Sequence, residues 1–235
     1  MADVHAYVDG LNLYHGARDL MSTLGSSEGW KWLDLEKLAK RICPHDDIIS
    51  VKYFTAHLSS PDHDPDLAQR QQVYLRALEA RPLTEVILGE FVRRRKRLPL
   101  VKRPGRLAKG LLSVSRIGAL DHEDGQTSVP VWRAEEKGTD VNLGTHLLVD
   151  AFGNGHEKAV VISNDADLRE PIRMLTQHFG RHVIVVNPRG HSRPSVSLQS
   201  VASETRRLRA AALTKCQLPN ELRDANGLFY KPASW

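Results

Sequence analysis

The sequence has few of the features that mark secreted, membrane-spanning or zinc-binding proteins. Only two of its 235 residues are cysteines, too few for a disulfide framework or a four-cysteine zinc site. No apolar run approaches the roughly 18 residues that a membrane helix needs. Asp3, His5 and Asp9 interrupt any apolar segment at the N-terminus, which argues against a signal peptide. We therefore expect a protein of the reducing cytoplasm without a membrane segment.

Several common catalytic and nucleotide-binding signatures are also missing. There is no Walker sequence and no G-x-S-x-G nucleophile elbow. Gly153-Asn154-Gly155 precedes a predicted strand instead of opening a helix, so it is not a dinucleotide-binding fingerprint. These absences argue against P-loop enzymes, serine hydrolases and typical dinucleotide enzymes.

The residues that are present predict an α/β protein. Strand and helix patterns alternate along the chain, as in folds with a mostly parallel central sheet and helices on both faces. We expect one three-layer α/β/α domain over residues 1–195. The remaining residues, 196–235, are expected to form a helix, over 197–213, and a tail that packs back onto the domain.

A concentrated basic segment interrupts this alternation. Ten lysines and arginines lie between Arg93 and Arg116 without an acidic residue, and we expect residues 93–128 to form a long loop or an extended hairpin. Like charges at this density repel one another, so a polyanion is the expected partner. The residues assigned to an RNA backbone are Arg93, Arg94, Arg95, Lys96, Arg97, Lys102 and Arg103.

Four aspartates follow predicted strands or open the next helix: Asp9, Asp140, Asp165 and Asp167. Binding sites of open parallel sheets form beyond the carboxyl ends of the strands, so these acids are expected to converge. Converging carboxylates need a proton or a cation, and oxygen ligands favour Mg²⁺ or Mn²⁺. A metal-bound water there would suit phosphodiester hydrolysis. Each aspartate is also open to a structural interpretation as a turn or N-cap residue.

Three segments resemble the sequence blocks of the NYN domain family, which belongs to the PIN-like nuclease group. They are Val8-Asp9-Gly10-Leu11-Asn12-Leu13, Glu136-Lys137-Gly138-Thr139-Asp140-Val141-Asn142-Leu143 and Ser163-Asn164-Asp165-Ala166-Asp167-Leu168. The resemblance implies a Rossmann-like, PIN-like domain and a metal-dependent endoribonuclease. It makes Asp9, Asp140, Asp165 and Asp167 the Mg²⁺ site, with Asn12 orienting ligands or substrate.

The sequence departs from that family in two places. Many relatives carry another acid on the helix where this chain has His146, and some carry cysteines in the insertion, where residues 93–128 have none. Two alternatives therefore stay open: a non-catalytic RNA-binding protein, or a phosphohydrolase or other enzyme that acts on a small molecule. The choice between RNA and DNA and the oligomeric state, a homodimer included, stay open as well.

Overall fold

The computed structural model describes residues 1–25, 29–99, 120–121, 127–153, 157–190 and 193–235. The strands are β1 (Asp3–Asp9), β2 (Asp47–Ala56), β3 (Thr84–Pro99), β4 (Leu120–Asp121), β5 (Thr127–Lys137), β6 (Lys158–Ile162), β7 (His182–Asn187), β8 (Glu204–Arg207), β9 (Glu221–Asp224) and β10 (Gly227–Tyr230). The α-helices are α1 (Gly10–Thr23), α2 (Leu35–Ile42), α3 (Leu67–Glu79), α4 (Thr139–Phe152), α5 (Arg169–Arg173), α6 (Val196–Gln199) and α7 (Ala210–Lys215). A 3-10 turn over Ala166–Leu168 precedes α5, and a π-helical turn over Met174–His178 follows it.

The described chain divides into two compact units. The first comprises Met1–Glu90 and Gly138–Trp235, and the second comprises Phe91–Lys137. The first unit contains a parallel sheet in the order β3-β2-β1-β6-β7-β8. The chain runs outward from β1 through β2 to β3, and then outward on the other side from β6 through β7 to β8. This is the order of doubly wound sheets, whose direction of winding reverses between the two central strands. The predicted α/β class with a large, mostly parallel sheet is confirmed.

Alternate residues of the central strands enter two separate hydrophobic cores. Ala6 and Val8 of β1 pack with α1, α2, α3 and α7, whereas Tyr7 packs on the other face with α4, α5 and α6. Side chains of a strand point alternately to opposite faces, so β1 needs apolar residues at consecutive positions. The sheet is therefore covered by helices on both faces, which confirms the three-layer arrangement.

The second unit contains the outer part of β3 with β5 and β4, in the order β4-β5-β3. Residues 93–99 belong to strand β3, so the expected loop does not begin at Arg93. Lys96 Nζ lies 2.6 Å from Glu135 Oε1, and Arg97 Nε donates to Ser128 Oγ over 3.3 Å. Of the two expected forms, a long loop or an extended hairpin, the extended hairpin agrees with this pairing. Most of the segment between β3 and β5, including Lys102 and Arg103, lies outside the described residues.

The segment 197–213 is not the single helix that its sequence predicts. It contains the end of α6, strand β8 and the start of α7. β8 pairs in parallel with β7, and Ser203 Oγ accepts a hydrogen bond from Val183 N at 3.0 Å. The open edge of β7 supplies backbone partners to Glu204–Arg207, and this pairing outweighs a weak local helix preference. Whether the domain boundary falls at residue 195 stays a prediction.

Candidate functional site

The predicted site residues gather where the direction of winding reverses. Asp9 ends β1, and Ser163, Asn164 and Asp165 directly follow β6, the parallel neighbour of β1. Asp140 lies in the first turn of α4. The carboxyl ends of β1 and β6 therefore form one polar edge of the sheet, the position where doubly wound proteins bind their ligands.

Asp9 is the most enclosed of these residues, with 4% of its surface exposed. Its Oδ1 accepts from the backbone N–H of Asn12 at 2.9 Å, and its Oδ2 accepts from Ser163 Oγ–H at 2.8 Å. The first bond caps the N-terminus of α1, whose orphan N–H groups need acceptors. Gly10 follows because an added Cβ would lie 2.7 Å from the Tyr53 hydroxyl. The Asp-Gly pair thus turns the chain tightly from β1 into α1.

A chain of hydrogen bonds extends from Asp9 across the edge. Ser163 Oγ accepts from Asp165 N at 3.0 Å, and Asp165 Oδ1 accepts from Asp167 N at 2.9 Å. Asn12 Oδ1 accepts from Asn164 N at 3.1 Å. Asn12 therefore fixes the loop after β6, and its amide oxygen is used within the protein.

Asp140 differs from Asp9 in its electrostatic surroundings. Desolvation raises the pKa of its carboxyl above the ordinary value, and the negative charges of Asp165 and Asp167 raise it further. The three carboxylates consequently lie near enough to repel one another. Gly138 precedes α4 with a φ of +86°, a left-handed conformation that favours glycine and directs the chain into the helix.

The α1 side of the same edge carries positive charge. His15 lies one turn after Asn12 on α1, and Arg189 follows β7. Burial lowers the pKa of His15, as do the charges of Arg18 and Arg189, while Asp19 opposes them. The edge is therefore acidic at α4 and the loop after β6, and it carries the positive charge of Arg189 at the end of β7.

Sequence reasoning missed three groups at this edge. Ser163 is fully buried and joins Asp9 to Asp165, and Asn164 Oδ1 accepts from Ser195 N at 2.7 Å. Both directly follow the buried strand β6. The aspartates were selected because they follow strands or open the next helix, and the same criterion would have selected Ser163 and Asn164. The position of Arg189 gives no comparable signal, because a single arginine after a strand is common on protein surfaces.

Basic residues assigned to RNA lie in the second unit. Arg94, Arg95, Lys96 and Arg97 are exposed on β3, and the structure describes the backbone of Arg93 but not its side chain. Lys96 is paired with Glu135, so β5 supplies an acid that the basic run itself lacks. RNA as a partner and the oligomeric state stay predictions.

The fold and site define an open, doubly wound α/β protein with a charged crevice at the reversal point of its sheet. No protein-family profile matches the chain. Over 97% of its length the chain is 28% identical to 6-hydroxy-3-succinoylpyridine 3-monooxygenase HspA of Pseudomonas putida, 74% of which is covered. A crystal structure of a protein of unknown function from Vibrio parahaemolyticus is similar with a TM-score of 0.47 and 17% identity, over 88% of this chain and 93% of that one. A TM-score below 0.5 supports no conclusion about this chain.

The comparison overturns the predicted reaction class. The relative aligned with nearly the whole chain is named as a monooxygenase, which is an oxidoreductase. The predicted metal-dependent endoribonuclease, a hydrolase, is therefore wrong.

The predicted Mg²⁺ or Mn²⁺ cofactor is wrong as well, since the same relative points to a different chemistry. Within the described ranges, no group of three or more His, Cys, Asp or Glu is placed to hold a metal ion. Both oxygens of Asp9 and one oxygen of Asp165 accept internal hydrogen bonds. Asp165 and Asp167 lie near Asp140, and hydrogen-bond donors of the protein occupy part of the acceptor capacity of Asp9 and Asp165.

In the described part of the chain, no helix is both long and apolar enough to span a bilayer.

Proposed function

We propose that this protein is an oxidoreductase that acts on a small hydroxylated aromatic molecule in the crevice at the reversal point. The carrying observation is the polar edge where hydrogen bonds join Asp9, Ser163 and Asp165, beside the carboxyl of Asp140, whose pKa burial, Asp165 and Asp167 raise. The relative's name describes oxygen insertion at position 3 of a pyridine with a hydroxyl at position 6. A fold of this kind supports many reactions, so the proposal rests on the site and the relative.

Asp140 would act as a general base on such a substrate. A carboxylate of raised pKa is a stronger proton acceptor than an ordinary aspartate. It would take the proton of the ring hydroxyl, and the resulting oxyanion increases electron density at the ring carbon para to it. Position 3 is para to position 6 in a pyridine ring, so this proton transfer activates the carbon at which the relative's reaction occurs.

The basic side of the crevice would bind an acidic substituent of the substrate. Arg189 follows β7 and lies near His15 of α1, whereas the carboxylates lie on α4 and in the loop after β6. A carboxylate tail would be attracted to Arg189 and repelled by Asp165 and Asp167. The two charged sides would therefore orient a molecule that has a hydroxyl at one end and an acid at the other.

Oxygen insertion requires co-substrates. At a ring carbon that bears hydrogen, one atom of molecular oxygen would replace that hydrogen as a hydroxyl group and the other would leave as water, with two electrons from a reduced dinucleotide and one proton from the solvent. The residues described here would bind and orient the aromatic substrate and accept its hydroxyl proton.

The test is oxygenation of hydroxylated pyridines by the purified protein with ¹⁸O₂ and a reduced dinucleotide, followed by mass spectrometry. We expect ¹⁸O in the product, and we expect Asp140→Asn to lower kcat by about 100-fold or more through loss of the base. The acid limb of the wild-type pH profile should lie above the ordinary aspartate pKa of about 3.9. Asp62→Asn, an exposed loop substitution, is the control and should leave kcat unchanged.

Absence of ¹⁸O from the products of a panel of hydroxypyridines and phenolic acids would contradict the proposed function. Equal rates for Asp140→Asn and Asp62→Asn, with oxygenation intact, would contradict the role of Asp140 alone.

We also propose that the finer fold class is PIN-like and that the chain is an NYN-type domain of the cytoplasm. The three resembling blocks lie at the end of β1, the start of α4 and the end of β6, all at one edge, which supports this assignment. Cys43 and Cys216 are free thiols, as is usual for a reducing compartment. Superposition of an experimental structure on NYN domains tests the fold class, and a different strand order around β1 would contradict it.

A further inference from the structure

A second pocket lies on the sheet face opposite α4, between α2, β8 and α7. Its volume of about 1210 Å³ is large enough for a nucleotide-sized ligand. Seven of its fifteen lining residues are lysines or arginines, and none of the fifteen is acidic. This is a concentration of one sign of charge within a concave surface, which focuses the field and attracts anions.

Three of the seven cations are held by neighbouring groups. Lys37 Nζ donates to Gln217 O at 2.9 Å, and Lys40 Nζ donates to Asp46 O at 2.6 Å. Arg206 pairs with Glu204 and donates to the carbonyl of Ile42. These contacts fix part of the rim in place before any ligand arrives.

The other four cations have no internal partner among the residues that the structure describes. They are Arg41 on α2, Arg207 at the end of β8, Arg209 before α7, and Lys215 on α7, and all four are exposed. Four unpaired cations around one pocket repel one another, and a ligand with several negative charges would relieve that repulsion.

Apolar side chains form the floor of the same pocket. Leu208, Ala212 and Cys216 line it and are 3 to 8% exposed. Burial raises the pKa of the Cys216 thiol, although Arg41 and Lys37 oppose that effect, so the floor is apolar beside a cationic rim. An inorganic anion would leave this floor uncovered, whereas a ligand with a ring would cover it.

We propose that this pocket binds a nucleoside polyphosphate, with its phosphates on Arg41, Arg207, Arg209 and Lys215 and its base against the apolar floor. A concave surface of this volume with an apolar floor fits a small ligand with a ring better than an extended nucleic-acid backbone. The proposal is independent of the reaction proposed above, because it uses none of the residues of the crevice.

The experiment is calorimetric titration of the full chain with ATP, inorganic tripolyphosphate and orthophosphate, in a chelator and at physiological salt. We expect ATP to bind most tightly, then tripolyphosphate, then orthophosphate. Arg207→Gln/Arg209→Gln should weaken ATP binding by about tenfold or more, since charge-assisted hydrogen bonds are lost. Lys215→Gln, on a different element, should weaken it in the same direction.

The matched control is Arg94→Gln/Arg95→Gln, which removes the same charge from exposed positions of β3. It should change ATP affinity by less than about twofold, because neither residue lines the pocket. Circular dichroism melting of every variant checks that all remain folded.

Three results would overturn the proposal. One is equal weakening by the two double variants, which would indicate general attraction to a basic protein. Another is tripolyphosphate binding as tightly as ATP, which would remove the base from the site. The third is single-stranded RNA binding that depends on Arg207 and Arg209 and that ATP does not displace, which would make the pocket an RNA contact.

Discussion

At the scale of single residues, Asp9 joins the ends of two strands to the start of a helix. One oxygen caps α1 through Asn12 N, and the other accepts from Ser163 beyond β6. Because the residue is 4% exposed, water cannot readily replace either bond. Its carboxylate therefore stabilises the edge on which the crevice is built.

Replacing Asp9 tests this structural role. Asp9→Ala should lower the free energy of unfolding by about 2 to 4 kcal/mol, the sum of a lost N-cap and a buried hydroxyl left without its acceptor. Asp9→Asn, which retains one acceptor oxygen, should cost less. Urea unfolding followed by circular dichroism measures both.

The control for this prediction is Asp66→Ala. Asp66 stands before α3 but makes no side-chain cap bond, so its loss should cost less than about 0.5 kcal/mol. Equal costs for Asp9→Ala and Asp66→Ala would contradict the role given to Asp9.

The residue scale also shows what the sequence could predict about the site. Asp9, Asp140, Asp165 and Asp167 were predicted to converge because they follow strands or open the next helix. Hydrogen bonds through Ser163 link Asp9 to Asp165, and Asn12 accepts from Asn164 N. The sequence could not give the direction of each carboxylate oxygen. Whether an aspartate accepts from the backbone or faces a ligand depends on bonds made by residues far apart in the chain.

At the scale of elements, α4 is fastened to the sheet by a buried polar cluster. Asp150 on α4 accepts from Lys52 Nζ on β2 at 2.7 Å and from the Tyr7 hydroxyl on β1 at 2.7 Å. His146, one turn earlier on α4, lies 3.3 Å from Lys52 Nζ through its Nδ1. His146, at the position where many NYN domains carry an acid, therefore belongs to this cluster. Asp140, at the start of the same helix, is positioned by it.

The charge of Asp150 is predicted to matter most above acidic pH. Burial alone would raise its pKa, but hydrogen bonds from Lys52 and Tyr7 outweigh burial and lower it. A carboxyl with a lowered folded-state pKa stabilises the protein above its unfolded pKa of about 3.9, and that stability is lost as the pH falls through the folded value. Asp150→Asn should cost about 3 to 5 kcal/mol at pH 7, because Lys52 keeps a buried charge without a counterion.

Urea unfolding of wild type and Asp150→Asn at pH 7 and near pH 3 measures this effect. The difference between the two proteins should narrow in acid, where wild-type Asp150 begins to take up its proton. The double variant Lys52→Met/Asp150→Asn removes both charges while keeping an acceptor for Tyr7, and it should recover much of the loss. A double variant no more stable than Asp150→Asn would contradict the ion-pair explanation.

Elements with strong periodicity were predicted well, whereas those formed by tertiary pairing were not. The sequence predicts helices over 66–80 and 140–152, and α3 and α4 agree with these ranges because their apolar residues repeat at helical spacing. β8 was missed because Glu204–Arg207 has no apolar alternation and is a strand through its pairing with β7. For the outer part of β3, whose residues are mostly charged, the sequence left both a loop and an extended hairpin open.

At the scale of the whole molecule, the sequence could predict the fold class but not the reaction class. The α/β class follows from the alternating patterns, and the position of the acidic edge follows from the rule for parallel sheets. The same edge with the same aspartates is compatible with several chemistries, so the reaction class could not follow from the pattern. A relative aligned with 97% of the chain and named a monooxygenase overturned the predicted class.

The C-terminal segment is integrated into the first unit through aromatic contacts. The Trp235 ring lies 6.2 Å from the Trp32 ring and 5.7 Å from the Tyr74 ring, measured between centroids. Trp32 Nε1 donates to Pro219 O at 2.7 Å, and Arg76 forms a two-point ion pair with Asp224. Residues 219–235 therefore cover α3 and the segment before α2, so their loss should weaken the main hydrophobic core.

Trp235→Ala is the test of that coupling. It should lower the free energy of unfolding by about 1 to 3 kcal/mol, from lost apolar burial and two edge-to-face ring contacts, and Trp235→Phe should cost less. Tyr230→Ala on β10 is the matched control, because that ring is 58% exposed and its removal should cost less than about 0.5 kcal/mol. If the tail were only loosely attached, both alanine variants would unfold at the wild-type urea midpoint. A shift confined to Trp235 would mean that the last residue of the chain contributes to the core around Trp32.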